Sequence, residues 1–323
     1  MNQFQLLNRK EIDEQKWNSL IYASVNSLPY ALSYYLDAVA ENWEAIVLND
    51  YEAVMPLVWL RKFGFKCLYQ PYYCQQLGVF SEKILSPQKH NEFITAAQKF
   101  PYININLNPS AKIIADEFSF TRKKNLLLDL SNDYAALRKN YSENHRRNIL
   151  KAEKRKLQFL EEATLLPFQK FYLENVKHTK EIFKPQHEKI FKALTKILVA
   201  KKIAKIFSVV DEEGNLLAAT FLLFHQNRII NLINTSSALG KKNGASHFLF
   251  DQIIQKFSGH PSVIASQALR AKQSTSNYGE LIFDFEGSSI VSIARFYEGF
   301  GAQEEVFYNY HTTIAKKLRQ RFQ

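Results

Sequence analysis

Apolar and polar positions alternate along this chain with two periods, and the switches between them mark out its elements. Residues 8–23 (NRKEIDEQKWNSLIYA) and 28–40 (LPYALSYYLDAVA) carry apolar side chains at helical spacing, with Pro29 tolerated in a first turn. Trp43 to Leu48 and Glu52 to Leu60 read as strands joined by a turn at Asn49-Asp50. Cys67 to Phe80 is extended and contains LYQPYYCQQLGVF, in which Tyr73, Gln75 and Gln76 belong to a tyrosine and glutamine cluster around Pro71. That stretch is too polar for a plain core strand and too aromatic for a solvated loop, so it reads as a pocket wall or as an edge strand with buried tyrosines. Pro87 to Phe100 is helical. From Tyr102 to Asn108, Ile103, Ile105 and Leu107 alternate with Asn104, Asn106 and Asn108, the pattern of a half-buried strand.

Asn125 to Leu130 is a further strand, and two helices follow within Ser131 to Lys156, capped near Ser131 or Asn132 and near Ser142. Helices at 167–178 and 186–200 precede three strands, Ile203 to Val210, Leu216 to Phe224 and Arg228 to Thr235. Their connections are short, so these strands are antiparallel neighbours. A polar loop, SSALGKKNGA, leads into a helix with Phe248, Leu249, Ile253 and Phe257 on its apolar side. The segment 258–280 is longer than a compact connection needs and reads as an insertion, a flap or a misread element. A strand from Leu281 to Phe285, a turn carrying Glu286 and Gly287, and a helix opening near Ser288 or Ser289 come next. In that helix Ile290, Ile293, Tyr297 and Phe300 share a face, with Arg295 and Glu298 elsewhere. Glu305 to Ala315 forms the last strand. The order predicts an α/β protein of the α+β type.

Composition narrows the class. A chain of 323 residues favours two domains, and 46% apolar with 14% aromatic residues describes a packed globular protein. The first residues lack the apolar core of a signal peptide and no run is long enough to span a bilayer, so a cytoplasmic location is expected. Cys67 and Cys74 have no metal-ligand spacing, none of the eight histidines shows a metalloprotease or triad-like pattern, and no metal is expected. The net charge of +11 favours anionic partners: phosphates, nucleic acid or an anionic membrane surface touched peripherally.

Chemistry concentrates in two places. Asp284 and Glu286 sit where a strand feeds a helix N-terminus, beside free amide donors. Strand alternation would place both carboxylates on one face, away from Phe283 and Phe285. Arg146 and Arg147 open a helix that also carries Lys151, Lys154, Arg155 and Lys156. That stripe reads either as a solvated surface or as a phosphate contact through Arg146 and Arg147.

The string DFEGSSIVSIARFYEGFGA resembles the C-terminal signature of the FemABX-type branch of the GNAT acyltransferases, in which a strand ending in aspartate and glycine precedes a helix reading roughly R-F-K-x-x-F-G. Asp129-Leu130, followed by Tyr141-Ser142-x-x-x-Arg146-Arg147-Asn148-Ile149-x-Lys151-Ala152, resembles the mid-chain motif of the same family. The resemblance implies two intertwined GNAT-like domains, 1–156 and 157–303, with residues 304–323 able to rejoin the first. Each would be a mixed, mostly antiparallel sheet flanked by helices. It also implies an acyltransferase that moves an aminoacyl group from aminoacyl-tRNA to an amine on a small molecule or peptidoglycan precursor, with no tightly bound cofactor. An acyl-CoA-dependent N-acetyltransferase is the nearest alternative. The GNAT pyrophosphate loop would then fall on Lys241, Lys242, Gly244 and Ala245, where glycine lets a backbone approach an oxyanion.

In the family a lysine after the R-F pair serves the oxyanion, and here that place holds Tyr297. A phenol donates one hydrogen bond but no charge. Arg295 is two residues away, roughly 200 degrees around the helix, and is a poor substitute. Glu286 becomes the candidate base, with Asp284 as a structural partner or second acid; the other reading is that Asp284 caps the following helix and Glu286 is solvated. The departure at Tyr297 keeps open a different class, a catalytically silent protein that holds RNA or an anionic glycan on its basic helix.

Overall fold

The computed structural model describes residues 3–62, 64–111, 120–161, 163–176, 184–259, 281–287 and 289–312. The chain divides into two compact units, Met1–Lys124 with Glu305–Gln323, and Asn125–Glu304. Nearly all of the extension expected at 258–280, and the last residues of the expected final strand, lie outside the described residues. Among the described residues no helix is long and apolar enough to cross a membrane.

The first unit opens with a strand that periodicity does not reveal, β1 (Phe4–Asn8), which pairs antiparallel with β2 (Trp43–Leu48). Between them, α1 (Glu14–Ala23) starts where Asp13 accepts the N–H groups of Gln15 and Lys16, both at 3.0 Å. The helix expected over 28–40 is shorter: a 3₁₀ turn at Pro29–Ala31 precedes α2 (Ser33–Val39). The sheet continues through β3 (Ala53–Lys62) and β4 (Phe65–Tyr69), while β5 (Phe80–Ser81) pairs with β3. Next, α3 (Pro87–Ala97) leads to β6 (Tyr102–Leu107), which lies parallel to β4. From Glu305 onward the chain returns to this unit, and β13 (Gln303–Thr312) pairs antiparallel with β6, Tyr310 facing Ile105. Ile103, Ile105 and Leu107 are buried with Phe93 and Tyr310, as alternation predicts. Asn108 departs from the pattern: it is also buried, its amide donating to the Val79 carbonyl at 3.0 Å.

The second unit begins within β7 (Phe120–Asp129). Two helices, α4 (Tyr134–Lys139) and α5 (Glu143–Lys154), are capped by Asp133 and Ser142. A short strand, β8 (Gln158–Glu161), then α6 (Leu165–Val176) and α7 (Pro185–Ala200) lead to the three central strands. These are β9 (Ala204–Val210), β10 (Leu216–His225) and β11 (Arg228–Ser236), antiparallel as their short turns require. The stretch expected as a polar loop is helical instead: α8 (Ala238–Asn243) is capped by Ser237 and closed by Gly244 at φ 78°. It runs directly into α9 (Ala245–Phe257). Then β12 (Ile282–Asp284) pairs in parallel with β11 and antiparallel with Leu127 to Asp129 of β7, and α10 (Val291–Glu298) follows. The helix α10 does not start on a serine cap. Its N-cap is Ile290, without a side-chain bond, and Ser288 lies outside the described residues.

Both faces of this central sheet are covered. Phe168 of α6 meets Phe221 on one side, and Phe257 of α9 meets Phe207 and Phe224 on the other. Adjacent strand residues point to opposite faces, which is why Phe221 and Phe224 serve different layers. Phe250 of α9 lies at the centre of a ring cluster formed by Phe283, Phe285, Phe296, Tyr297 and Phe300. Each such side chain contributes about 1.5–3 kcal/mol by leaving water, so this cluster fixes α10 against α9 and the end of β12.

Candidate active site

The parallel pairing of β11 with β12 covers only Arg228 to Ile230 against Ile282 to Asp284. Beyond it β11 continues to Ser236, while the other chain turns away through Phe285, Glu286 and Gly287. Past Ile230 the ladder stops, and the Asn231 side chain reaches the Phe285 carbonyl instead, at 3.2 Å.

The turn itself is held by Asp284. One oxygen of its buried carboxylate meets Arg228 Nη1 at 2.7 Å, and the other accepts Asn125 Nδ2 at 2.8 Å and the Glu286 N–H at 3.0 Å. An acid so fully engaged is a structural anchor rather than a proton acceptor. The anchored turn places Glu286 at φ 50° and Gly287 at φ 61°. For a residue with a Cβ this left-handed geometry costs roughly 1–2 kcal/mol. The expected strand alternation of Asp284 and Glu286 is therefore not realised: β12 ends at Asp284, and Glu286 is directed by the turn. Glu286 is half-buried, and burial raises its pKa well above the ordinary carboxylate value.

Tyr297 is 3% exposed. Its hydroxyl oxygen accepts hydrogen bonds from Asn231 Nδ2 at 3.0 Å and from Asn234 Nδ2 at 2.9 Å. Burial raises the phenol's pKa, the two amides lower it, and the charge of nearby Glu286 raises it again. Asn231 is buried and further tied, accepting from Thr220 Oγ1 at 2.7 Å and donating to the Phe285 carbonyl at 3.2 Å. A break in register on β11 brings the two asparagines together. Phe221 pairs with Ile233 and Leu222 with Asn231, so Leu232 is the extra residue of a bulge. Residues three apart on a regular strand face opposite ways, but with Leu232 extra, Asn231 and Asn234 share a face.

The other expected residues are spread out. Arg295 is exposed on α10. Lys241 and Lys242 are exposed in the last turn of α8, and Ala245 is buried. Gly244 has a packing reason to be glycine, because a Cβ there would lie 2.4 Å from the Asn148 carbonyl oxygen of α5. Arg146 donates to the Lys139 carbonyl at 2.6 Å and borders a depression of about 410 Å³ with Tyr134, Ala135, Arg138 and Lys139. Arg147 donates to Asn144 Oδ1 at 3.1 Å. Both arginines are exposed and, among the described residues, neither forms an ion pair.

Tyr73, Gln75 and Gln76 belong to the first unit. The Tyr73 carbonyl accepts from the Tyr35 hydroxyl, the Gln75 carbonyl accepts from Asn106 at 2.8 Å, and Gln76 is buried, donating to Gln75 Oε1 at 2.8 Å.

Sequence reasoning passed over four contributors: Asn231, Asn234, Arg228 and His145. Two asparagines three apart inside the apolar run RIINLINT were a readable signal. His145 gave none. It stitches α5 to α10, its Nε2–H donating to the Phe296 carbonyl at 2.8 Å and its Nδ1 facing Ser142 Oγ at 2.8 Å. Burial lowers its pKa, which favours the neutral ring this pairing needs. The Ser142 N–H adds a bond to the Gly299 carbonyl at 2.8 Å.

No protein-family model matches the sequence, and no curated protein resembles it closely enough to be matched. Solved structures do. FemX superposes with a TM-score of 0.60 at 12% identity, covering 94% of this chain and 96% of its own. L-PGS from Bacillus licheniformis gives 0.53 at 14% identity, with 94% and 92% covered. The C-terminal domain of a putative lysylphosphatidylglycerol synthetase from Agrobacterium fabrum gives 0.54 at 10% identity, with 96% and 95% covered. At these identities the likeness is one of fold: the chain has a FemX-like fold, as the two sequence motifs led one to expect.

Proposed function

We propose that the protein is an aminoacyltransferase acting where β11 and the β12–α10 turn diverge. What supports this reading is that one segment carries both Glu286, a carboxyl whose pKa burial raises, and the Tyr297 hydroxyl, which two amides hold. Acyl transfer to an amine needs a proton acceptor and a donor to the oxyanion, and these two groups supply them. The amine lone pair attacks the ester carbonyl carbon, and the π electrons move to oxygen, where the Tyr297 O–H donates. Collapse of the tetrahedral intermediate restores the carbonyl and expels the ester oxygen. The Glu286 carboxylate takes the proton lost by the amine, and that proton passes to the leaving oxygen.

An aminoacyl ester of tRNA is the favoured donor. FemX and lysylphosphatidylglycerol synthetase among the fold neighbours support aminoacyl transfer as the reaction class. The acyl-CoA alternative needs a backbone cradle at Lys241, Lys242, Gly244 and Ala245. The Gly244 N–H is instead engaged with the Gly240 and Lys241 carbonyls at the end of α8, which weighs against that donor. The acceptor is an amine on a small molecule or cell-wall precursor, and Arg146 and Arg147 serve the anionic substrate. Incubation with tRNA charged with a labelled amino acid, beside labelled acetyl-CoA, tests this against a panel of amine acceptors. Label should move from tRNA only, and transfer from acetyl-CoA alone would overturn the choice of donor.

A further inference from the structure

A phenol oxygen accepts hydrogen bonds, and its single hydrogen is its only means of donating. At Tyr297 two donors face the oxygen, Asn231 Nδ2 at 3.0 Å and Asn234 Nδ2 at 2.9 Å. We propose that Asn231 and Asn234 act as positioning residues that commit the Tyr297 hydroxyl to donating, and so turn an uncharged phenol into the oxyanion donor of the site. This rests on the transferase reading above.

The orientation of the Asn231 amide is set by chemistry. Asn231 also contacts the Phe285 carbonyl, which can only accept, so the nitrogen must face it. On its other side the Asn231 oxygen faces the Thr220 hydroxyl at 2.7 Å, a contact compatible with that orientation. Thr220, Asn231 and Tyr297 thus form one directed chain, and Asn234 adds the second donor from the same face of β11. The bulge at Leu232 is what permits this, since without it one of the two amides would point to the opposite side of the sheet. The free direction at the phenol oxygen is then the one its hydrogen occupies.

The arrangement also changes how strongly the hydroxyl donates. Hydrogen bonds to an oxygen stabilise negative charge there, so both amides make the O–H a better donor and oppose the effect of burial. No proton leaves Tyr297 in the step. It keeps its hydrogen while the acyl oxygen gains and then loses charge, and the amine's proton goes to Glu286.

The test uses Asn234, which is exposed and can be changed without opening the core. Full-length protein with 3-fluorotyrosine placed at position 297 is titrated by fluorine NMR, with Asn234→Ala and Asn234→Asp beside the parent. The fluorophenol pKa should rise in both variants, and more in Asn234→Asp, where a carboxylate replaces a donor. In unlabelled enzyme, Asn234→Asp should lower kcat by at least about tenfold with KM within about twofold, as expected for a group acting through the oxyanion donor. The same change in a Tyr297→Phe background should add nothing. A fluorophenol pKa that does not move in either variant overturns the proposal. A shift as expected, in a protein whose parent form transfers nothing from any donor, supports the amide commitment and counts against the transferase reading alone.

Discussion

Replacing Glu286 by glutamine should stabilise the protein increasingly as pH rises. The Glu286 carboxyl is half-buried in a turn fixed by Asp284, and burial raises its pKa well above 4.5. Between 4.5 and the raised native value, the unfolded chain has lost this proton and the native protein still holds it. The native state binds more protons there, so stability falls with rising pH, at a limiting slope of about 1.4 kcal/mol per pH unit. Remaining solvent contact at Glu286 shortens the window over which that slope applies. Glu286→Gln keeps the shape and removes the ionisation. Its advantage over wild type should therefore be near zero below pH 4.5, grow through the carboxyl's raised titration range, and level off above it. Urea unfolding of both proteins from pH 4 to pH 9 measures the difference, and other titrating groups cancel because they are common to both. Circular dichroism is the better probe, because Trp17, Trp43 and Trp59 all lie in the first unit and report only on it. A difference that is flat with pH, or that favours the wild type as pH rises, would refute the assignment of a buried, proton-retaining carboxyl.

Four other outcomes follow from the same contacts. Arg228→Ala leaves the Asp284 carboxylate, 2% exposed, without its cation and should cost about 3–5 kcal/mol in urea unfolding, with Asp284→Asn in the same chain recovering part of the loss. Gly299→Ala places a Cβ 2.0 Å from His145 Cε1, and the displaced ring should cost about 1–3 kcal/mol; an unchanged unfolding midpoint would contradict the docking of α5 on α10. Changing Arg146 and Arg147 together to alanine should weaken tRNA retention on filters and flatten its salt dependence by about 0.7–0.9 per lost phosphate contact, and an unaltered slope would remove both from the interface. Tyr297→Lys should be inactive in transfer assays and less stable than Tyr297→Phe.

Much of this was legible because it is local. Short turns fixed the antiparallel β9, β10 and β11, and helical spacing put Tyr297 and Phe300 on the buried side of α10. Ile290, assigned to the same face, is exposed and caps the helix instead. What escaped depends on partners distant in sequence. Asp284 reads from sequence as either a structural partner or a second acid, and Arg228 and Asn125, which decide for the former, are far away along the chain. Gly244 looked like part of a phosphate loop, and the crowding that explains it comes from Asn148 of α5. The run SSALGKKNGA reads as loop because of its glycines and polar residues, yet Ser237 caps a helix there by accepting the Gly240 N–H at 3.0 Å. No periodicity argument anticipates a bulge, since it is defined by the partner strand, so the meeting of Asn231 and Asn234 was invisible to strict alternation.

The tyrosine at 297 therefore differs from a lysine that has merely been lost. An ammonium has three donors and no acceptor, whereas Asn231 and Asn234 both direct N–H groups at the atom in this place. A lysine here would set donor against donor and bring a charge among Phe250, Phe285 and Phe296, where one of the two acids of the turn, Asp284, is already held by Arg228. Burying such a charge costs far more than burying a phenol whose oxygen is doubly bonded to amides. The surroundings are complementary to an oxygen that accepts twice and donates once. Under the proposed reaction, that complementarity is what a neutral donor to the oxyanion would require.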